Sequence, residues 1–523
     1  MSTAESAAAG RQASPPALPR LPRRIGWLPF EQARLRPDAP AVGEGATVWT
    51  YGRLADAVRA TAARLTGVGV RPGDRLAIVC ENGIAAAVLI FAASELDAWP
   101  VILNARLSAP ELDAILEHCR PRRVAYAALS PDALAHARRH GAAAMNDADV
   151  PGGWMGALAA GVETERLETS AARQVGALIY TSGTTGKPKG VMLSHRNVLY
   201  SARISASVRE MTAADRIYAA LPVSHSFGLS SVLLGGTMAG AYLAFAPRFS
   251  PQELARALAE DGITVFQGVP TMFARLLDWY AATGTRPLAP RLRFASSGGG
   301  PLEPGLKRRV EAALGVRLNN GYGLSEAAPV VALTRSADPN EGCSIGFAAD
   351  GVEVRLVDEA GAPVAPGAIG ELHARGPNVM LGYYRDPALT AAAITADGWL
   401  RTGDLARAEP DGRLHVVGRK KEMIIHGGFN VYPEELEALF HEHPKVALAG
   451  VVGVPNGVEE DVVLYVQPRS GAAVDPAELA AFAAARLVGY KRPSRIVVMD
   501  PLPVTLSGKV QKGRLRALAI QGS

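Results

Sequence analysis

A chain of 523 residues is too long for one ordinary hydrophobic core, so two or more domains are expected. Hydrophobic residues make up 48% and charged residues 20%, the make-up of an ordinary globular enzyme. A net charge of +5 spread over this length suits anionic ligands and gives no case for nucleic acid as a partner.

Residues 1–24 are rich in Ala, Pro, Ser and Arg and lack the apolar stretch of a signal peptide, so a disordered arm is expected there. Between residues 50 and 180, short apolar runs alternate with helical patterns. Arg75–Cys80 (RLAIVC) reads as a buried strand, 83–96 as a buried helix and 175–180 (VGALIY) as a further strand. Such alternation predicts α/β layers with largely parallel strands. Residues 226–247 carry no charge over nearly a membrane span except at Arg248 just beyond, but four interspersed glycines favour buried core. From Gly346 the texture changes: 352–357, 370–374 and 414–417 are short strands between Gly, Asp and Pro turns, the pattern of a small β-rich subdomain. After Gly418 a charged cluster opens a last unit of about a hundred residues, with helices expected at 433–441 and 476–487. Cys80, Cys119 and Cys343 lie far apart without a CxxC pair, which argues against a disulfide framework or zinc site and fits a reducing cytoplasm.

The chain contains nine lysines against 46 arginines, and five of the nine fall in three short glycine-containing stretches. A compact ammonium and a forked guanidinium are not interchangeable at a phosphate or a reacting carboxylate. The first stretch, Tyr180-Thr-Ser-Gly-Thr-Thr-Gly-Lys-Pro-Lys-Gly190, follows a strand and combines glycines, hydroxyls and two lysines. Bare glycine backbone lets N–H groups approach phosphate oxygens, and the hydroxyls and ammonium groups add donors and charge. Its spacing is not that of a Walker A loop.

This segment resembles the signature of the adenylate-forming superfamily: acyl-CoA synthetases, peptide-synthetase adenylation domains and firefly-type luciferases. The resemblance recurs in order from about residue 30 to 515, and is nearest to bacterial fatty-acid–CoA ligases through the Lys-Lys pair and the Gly-Phe-Asn-Val-Tyr-Pro run within 418–434. It implies an α/β fold: a large N-terminal domain of layered α/β sheets with a small β-rich subdomain, at 25–418, a hinge at 419–421, and a small mobile α+β C-terminal lid domain at 422–523.

The resemblance also implies site residues. ATP would be bound by Thr181, Ser182, Gly183, Thr184, Thr185, Gly186, Lys187, Gly299, Gly321, Tyr322, Gly323, Ser325, Asp404, Arg419 and Lys509. Tyr322 would stack on adenine, Asp404 would accept both ribose hydroxyls, and Thr181 and Glu326 would hold Mg²⁺. His225, Gly298, Gly299, Gly300 and Ala327 would line the acyl pocket. Lys509, His225 and Glu326 would be the catalytic residues, Lys421 the hinge, and Gly427 and Gly428 the coenzyme A tunnel. Relatives usually carry Thr where this chain has Ser325. Some aryl-CoA ligases carry Lys at the place of Ile425, whose absence here speaks slightly against an aryl acid.

The expected activity is an ATP- and Mg²⁺-dependent acyl-CoA synthetase that forms acyl-AMP and pyrophosphate, then acyl-CoA and AMP. The small residues near Gly298–Gly300, Tyr322 and 327–328 favour a bulky or elongated apolar acid, and a medium- or long-chain fatty acid is the leading expectation. The alternatives are an aryl or alicyclic acid–CoA ligase, an adenylation enzyme loading a carrier protein, and a silent nucleotide-binding regulator. The last should have lost Lys509, Glu326 or Asp404, and all three are present. Whether the chain forms a homodimer, or its basic arm meets a membrane surface, is left open at this stage.

Overall fold

The computed structural model describes residues 21–182, 188–335, 338, 342–457, 459–469, 471–505 and 509–521. Among these, two large sheets share one core. One has eight strands and is built around Arg75–Cys80, Trp99–Asn104, Arg123–Ala127 and Val175–Ser182. The other has nine and is built around Arg216–Ala219, Val265–Gly268, Phe294–Gly298 and Leu318–Gly323. The central strands of both pair in parallel. Arg75–Cys80 is buried along its whole length, which is why it reads as a continuous apolar run rather than an alternating one.

The helix Ile84–Glu95, inside the expected 83–96, is apolar on every side because it lies in the middle layer; its residues join those of both sheets in one core. His195–Val208 occupies the same layer. Its N-terminus carries a capping box, in which Ser194 accepts from the Asn197 N–H and the Asn197 side chain accepts from the Ser194 N–H. The uncharged stretch 226–247 is core, as expected. It forms a wide-turned helix, Phe227–Leu234, then a short helix, Gly235–Ala239, and the strand Tyr242–Phe245. No helix among the described residues is long and apolar enough to cross a membrane.

The expected β-rich subdomain is a four-stranded antiparallel sheet of Glu353–Val357, Gly370–Arg375, Leu400–Ala408 and Leu414–Arg419. The smaller C-terminal unit has its own core, in which Pro433–His441 and Pro476–Ala484 pack against the long hairpin Val446–Asn456 and Glu459–Pro468. The second helix stops three residues short of its expected end. At the expected hinge, 419–421, the strand Leu414–Arg419 gives way to the turn Lys420–Glu422. Most of the predicted N-terminal arm, residues 1–20, lies outside the described residues. At its inner end Arg24 pairs with Asp97, so the chain is anchored one residue before its first helical turn, Ile25–Trp27.

Candidate active site

The candidate site collects at the C-terminal ends of the parallel strands of the nine-stranded sheet and is closed by the C-terminal unit. Val175–Ser182 and Pro188–Ser194 form an antiparallel hairpin that sets Thr181 opposite Lys189. The expected phosphate-binding residues Gly183, Thr184, Thr185, Gly186 and Lys187 lie outside the described residues, as does the side chain of Ser182.

His225 opens the helix Phe227–Leu234, its N–H bonded to the Pro222 carbonyl at 3.0 Å. The approach to it is fixed by Asn82, which sequence reasoning missed. This buried amide donates to the carbonyls of Ala219 (2.9 Å) and Leu221 (3.0 Å) and accepts from the Val223 N–H (2.9 Å). The His225 ring is exposed to the cleft, yet protein packed around it pushes its pKa down to about 4, and the Lys509 charge adds to the shift. The imidazole is therefore neutral near pH 7.

Gly298, Gly299 and Gly300 end the strand Phe294–Gly298. Gly299 has φ +76°, a left-handed conformation that strains any residue with a Cβ. A Cβ on Gly298 would stand 3.2 Å from Phe227 Cε1, so the wall here is bare backbone facing an aromatic ring. Phe227 lies two residues after His225 and was not among the residues named from the sequence. Gly323 admits no side chain at all, since a Cβ would lie 2.1 Å from the Pro329 carbonyl oxygen. Ser325 and Ala327 are buried in the turn that follows, and Ala328 takes φ +59°.

Tyr322 and Asp404, 82 positions apart, are joined by a hydrogen bond of 2.5 Å from the tyrosine hydroxyl to the carboxylate. Burial, then the Asp404 charge, raises the Tyr322 pKa well above its usual value, which keeps it a donor. Asp404 also pairs with Arg419 at 3.0 Å; the two are cross-strand neighbours. Glu326 is half-buried and accepts a 2.8 Å bond from the hydroxyl of Tyr383, another residue that sequence reasoning missed. A single carboxylate suits Mg²⁺, which keeps waters and substrate phosphates as its other ligands, so Glu326 fits that ion without a protein cage.

The C-terminal unit brings Lys509 into this cleft. Its backbone is held by a bridge between Val504 and Val510 and by the Thr505 N–H donating to the Lys509 carbonyl at 2.7 Å. Desolvation pushes the Lys509 pKa down and Arg419 adds to that, while Asp404 and Glu422 oppose it. Lys509 thus shares one charge neighbourhood with His225, Arg419 and Asp404. His441 pairs with Glu303, Arg469 with Asp278 (3.4 Å) and Lys420 with Glu371 (3.0 Å), contacts that tether the unit in this position. Gly427 and Gly428 are not brought to the cleft: they form an exposed turn between Ile424–His426 and Phe429–Val431. Lys421, the expected hinge, is exposed beside Arg419, and burial of part of its chain and the Arg419 charge lower its pKa. Elsewhere, a polar cavity of about 640 Å³ is lined by Arg75, Arg120, Glu163, Tyr384 and Arg385 among others; none of the site residues lines it.

Residues 29–384 match the family described as AMP-binding enzyme, and residues 435–509 match the AMP-binding enzyme C-terminal domain. A feruloyl-CoA synthase of Amycolatopsis sp is 36% identical over 505 residues, covering 94% of this chain and 98% of that protein. An indoleacetate–CoA ligase of Aromatoleum aromaticum is 35% identical over 511 residues, covering 94% and 97%. Among solved structures, ATP-bound MatB from Rhodopseudomonas palustris superposes with a TM-score of 0.83 at 29% identity, covering 95% of this chain and 98% of its own. With a cleft of this composition and both family segments in order, the chain belongs to the AMP-binding enzyme family, the adenylate-forming superfamily, and is an AMP-forming CoA ligase that uses ATP, Mg²⁺ and coenzyme A.

Proposed function

We propose that this ligase activates an acid whose carboxyl is carried by, or conjugated to, an aromatic ring. The observation that carries the reading is the whole-length likeness to ligases named for aromatic acids; in the structure the Phe227 ring packs directly on the Gly298 backbone. Two relatives that match nearly the whole chain are, by name, ligases of ferulate and indoleacetate, both aromatic acids, while a third is named for an alicyclic propanoate. This favours the aryl alternative over the leading expectation of a medium- or long-chain fatty acid. Its supporting sign, the absence of Lys at Ile425, loses its footing because Ile425 is 49% exposed on the small unit's hairpin and forms no part of the pocket wall.

In the first half-reaction two anions, the carboxylate and the α-phosphate, must meet. Lys509 bridges them with its ammonium, and His225, neutral at pH 7, holds the carboxylate end of the pocket without competing for that charge. Asp404 holds the ribose and Tyr322 packs on adenine. Mg²⁺ held through Glu326 would neutralise phosphate charge. For the thiol step the C-terminal unit turns about Lys421, removing Lys509 and bringing the Gly427–Gly428 turn inward. The testing experiment is AMP release from ATP with coenzyme A across ferulate, 4-hydroxybenzoate, indoleacetate, hexanoate, palmitate and malonate. Turnover concentrated on the aromatic acids is expected; turnover confined to palmitate or hexanoate would overturn the reading.

A further inference from the structure

On the aromatic-acid reading, the inner end of the acyl pocket identifies the substrate further. Phe294, Ser296 and Gly298 alternate along one strand and share the face that packs on the helix Phe227–Leu234, as do Val265 and Gln267 on the neighbouring strand. Gln267 and Ser296 are register partners, side by side on that face. Going inward from Gly298 and Phe227, the first layer met is Ser296 with Gln267, two strand residues or about 7 Å further in. Gln267 donates to the Ser231 carbonyl at 3.3 Å, which brings Ser231 of the covering helix to the same layer.

This layer should be apolar if the pocket took a hydrocarbon tail. It is the reverse. Ser231 and Gln267 are 0% exposed and Ser296 is 4% exposed, yet Ser231 Oγ, Ser296 Oγ and Gln267 Oε1 have no hydrogen-bond partner among the described residues. Each buried unpaired polar atom costs about 1–3 kcal/mol, so three in one layer call for a ligand that pairs with them. Behind the layer stands Arg209, buried and with no ion pair among the described residues. It donates to Ser205 Oγ (2.9 Å), and Ser205 in turn donates to the same Ser231 carbonyl (3.1 Å). An uncompensated guanidinium at the closed end favours electron-rich oxygen in front of it.

We propose that Ser231, Gln267 and Ser296 form a hydrogen-bonding end pocket, and that the acid this enzyme selects carries a hydroxyl on its aromatic ring at the end remote from the carboxyl. A hydroxyl matches the set because it donates and accepts at once: its O–H meets Gln267 Oε1, and its lone pairs accept from the serine hydroxyls. A second carboxylate would leave Gln267 Oε1 without a donor, and a methyl or an alkyl tail would leave all three atoms unpaired.

The test compares kcat/KM for 4-hydroxycinnamate with cinnamate, and for 4-hydroxybenzoate with benzoate, in the wild-type enzyme and in Gln267→Leu and Ser231→Ala. The wild type is expected to favour the hydroxylated member of at least one pair by 10-fold or more, as sites built around a substrate hydroxyl do. Gln267→Leu should cut the hydroxylated acid about 10- to 100-fold and raise the plain acid, collapsing the preference, with Ser231→Ala intermediate. Aromatic acids turned over without a hydroxyl preference would overturn this inference and leave the aromatic reading standing. So would an equal loss on both acids in Gln267→Leu, the mark of a merely structural residue. Turnover of no aromatic acid, with some other class accepted, would instead overturn the aromatic reading itself.

Discussion

Replacing Lys509 by Ala isolates the one group that the C-terminal unit contributes to the cleft. In the proposed mechanism its ammonium lies between a carboxylate oxygen and an α-phosphate oxygen in the transition state. Each contact at about 4 Å is worth about 4 kcal/mol at an effective dielectric near 20. Against this stands the cost of holding Lys509 in a desolvated cleft beside Arg419, the cost that lowers its pKa. A net loss of about 4 kcal/mol, or about 10³-fold, is expected in the adenylation rate. Pyrophosphate exchange measures that half-reaction, and transfer from chemically prepared acyl-AMP to coenzyme A measures the other. The second should change by less than about 5-fold, since in the proposed mechanism the small unit turns Lys509 away before the thiol attacks. Lys509→Arg should recover little, because a planar fork cannot occupy the place of a point charge between two oxygens. Equal losses in the two half-reactions would refute this division of labour.

Other outcomes follow from single contacts. Asp404→Asn removes the negative charge and leaves one acceptor oxygen where two now serve Tyr322 and Arg419, and should raise the KM for ATP about 10- to 100-fold while moving the KM for the acid far less. Gly298→Ala places a Cβ 3.2 Å from the Phe227 ring, and should raise the KM for an aromatic acid about 10-fold with little change for ATP; steady-state kinetics read both. His195 is fully buried and its pKa is pushed down to about 3, by burial first and then by the charge of Arg24. The unfolded chain takes up that proton near pH 6.5 and the folded one does not, so stability is lost as pH falls from about 6.5 towards 3, by about 2 kcal/mol at pH 5. Urea unfolding at pH 7 and pH 5 should show this fall, and His195→Gln should shrink it.

Much of this protein was legible along the chain because its signals are local. Apolar runs such as Arg75–Cys80 specify buried strands, the patterned 433–441 segment specifies a helix at its observed bounds, and the glycine-and-lysine stretches carry the family resemblance. The order of those motifs was enough to identify the family and to name Tyr322, Asp404, Arg419 and Lys509 separately. Only the tertiary structure decided that the four share one charge neighbourhood, with a tyrosine hydroxyl and a guanidinium closing on the same carboxylate. The same holds for Asn82, Tyr383 and Gln267. Each is an unremarked residue in sequence, because its partner lies on a strand or turn dozens to more than a hundred residues away. Substrate choice falls in this second group. A serine or glutamine in an apolar run reads as tolerated polarity until the fold shows whether its hydrogen-bonding atoms are paired; in Ser231, Gln267 and Ser296 one such atom each finds no partner among the described residues, and the proposed ring hydroxyl rests on that.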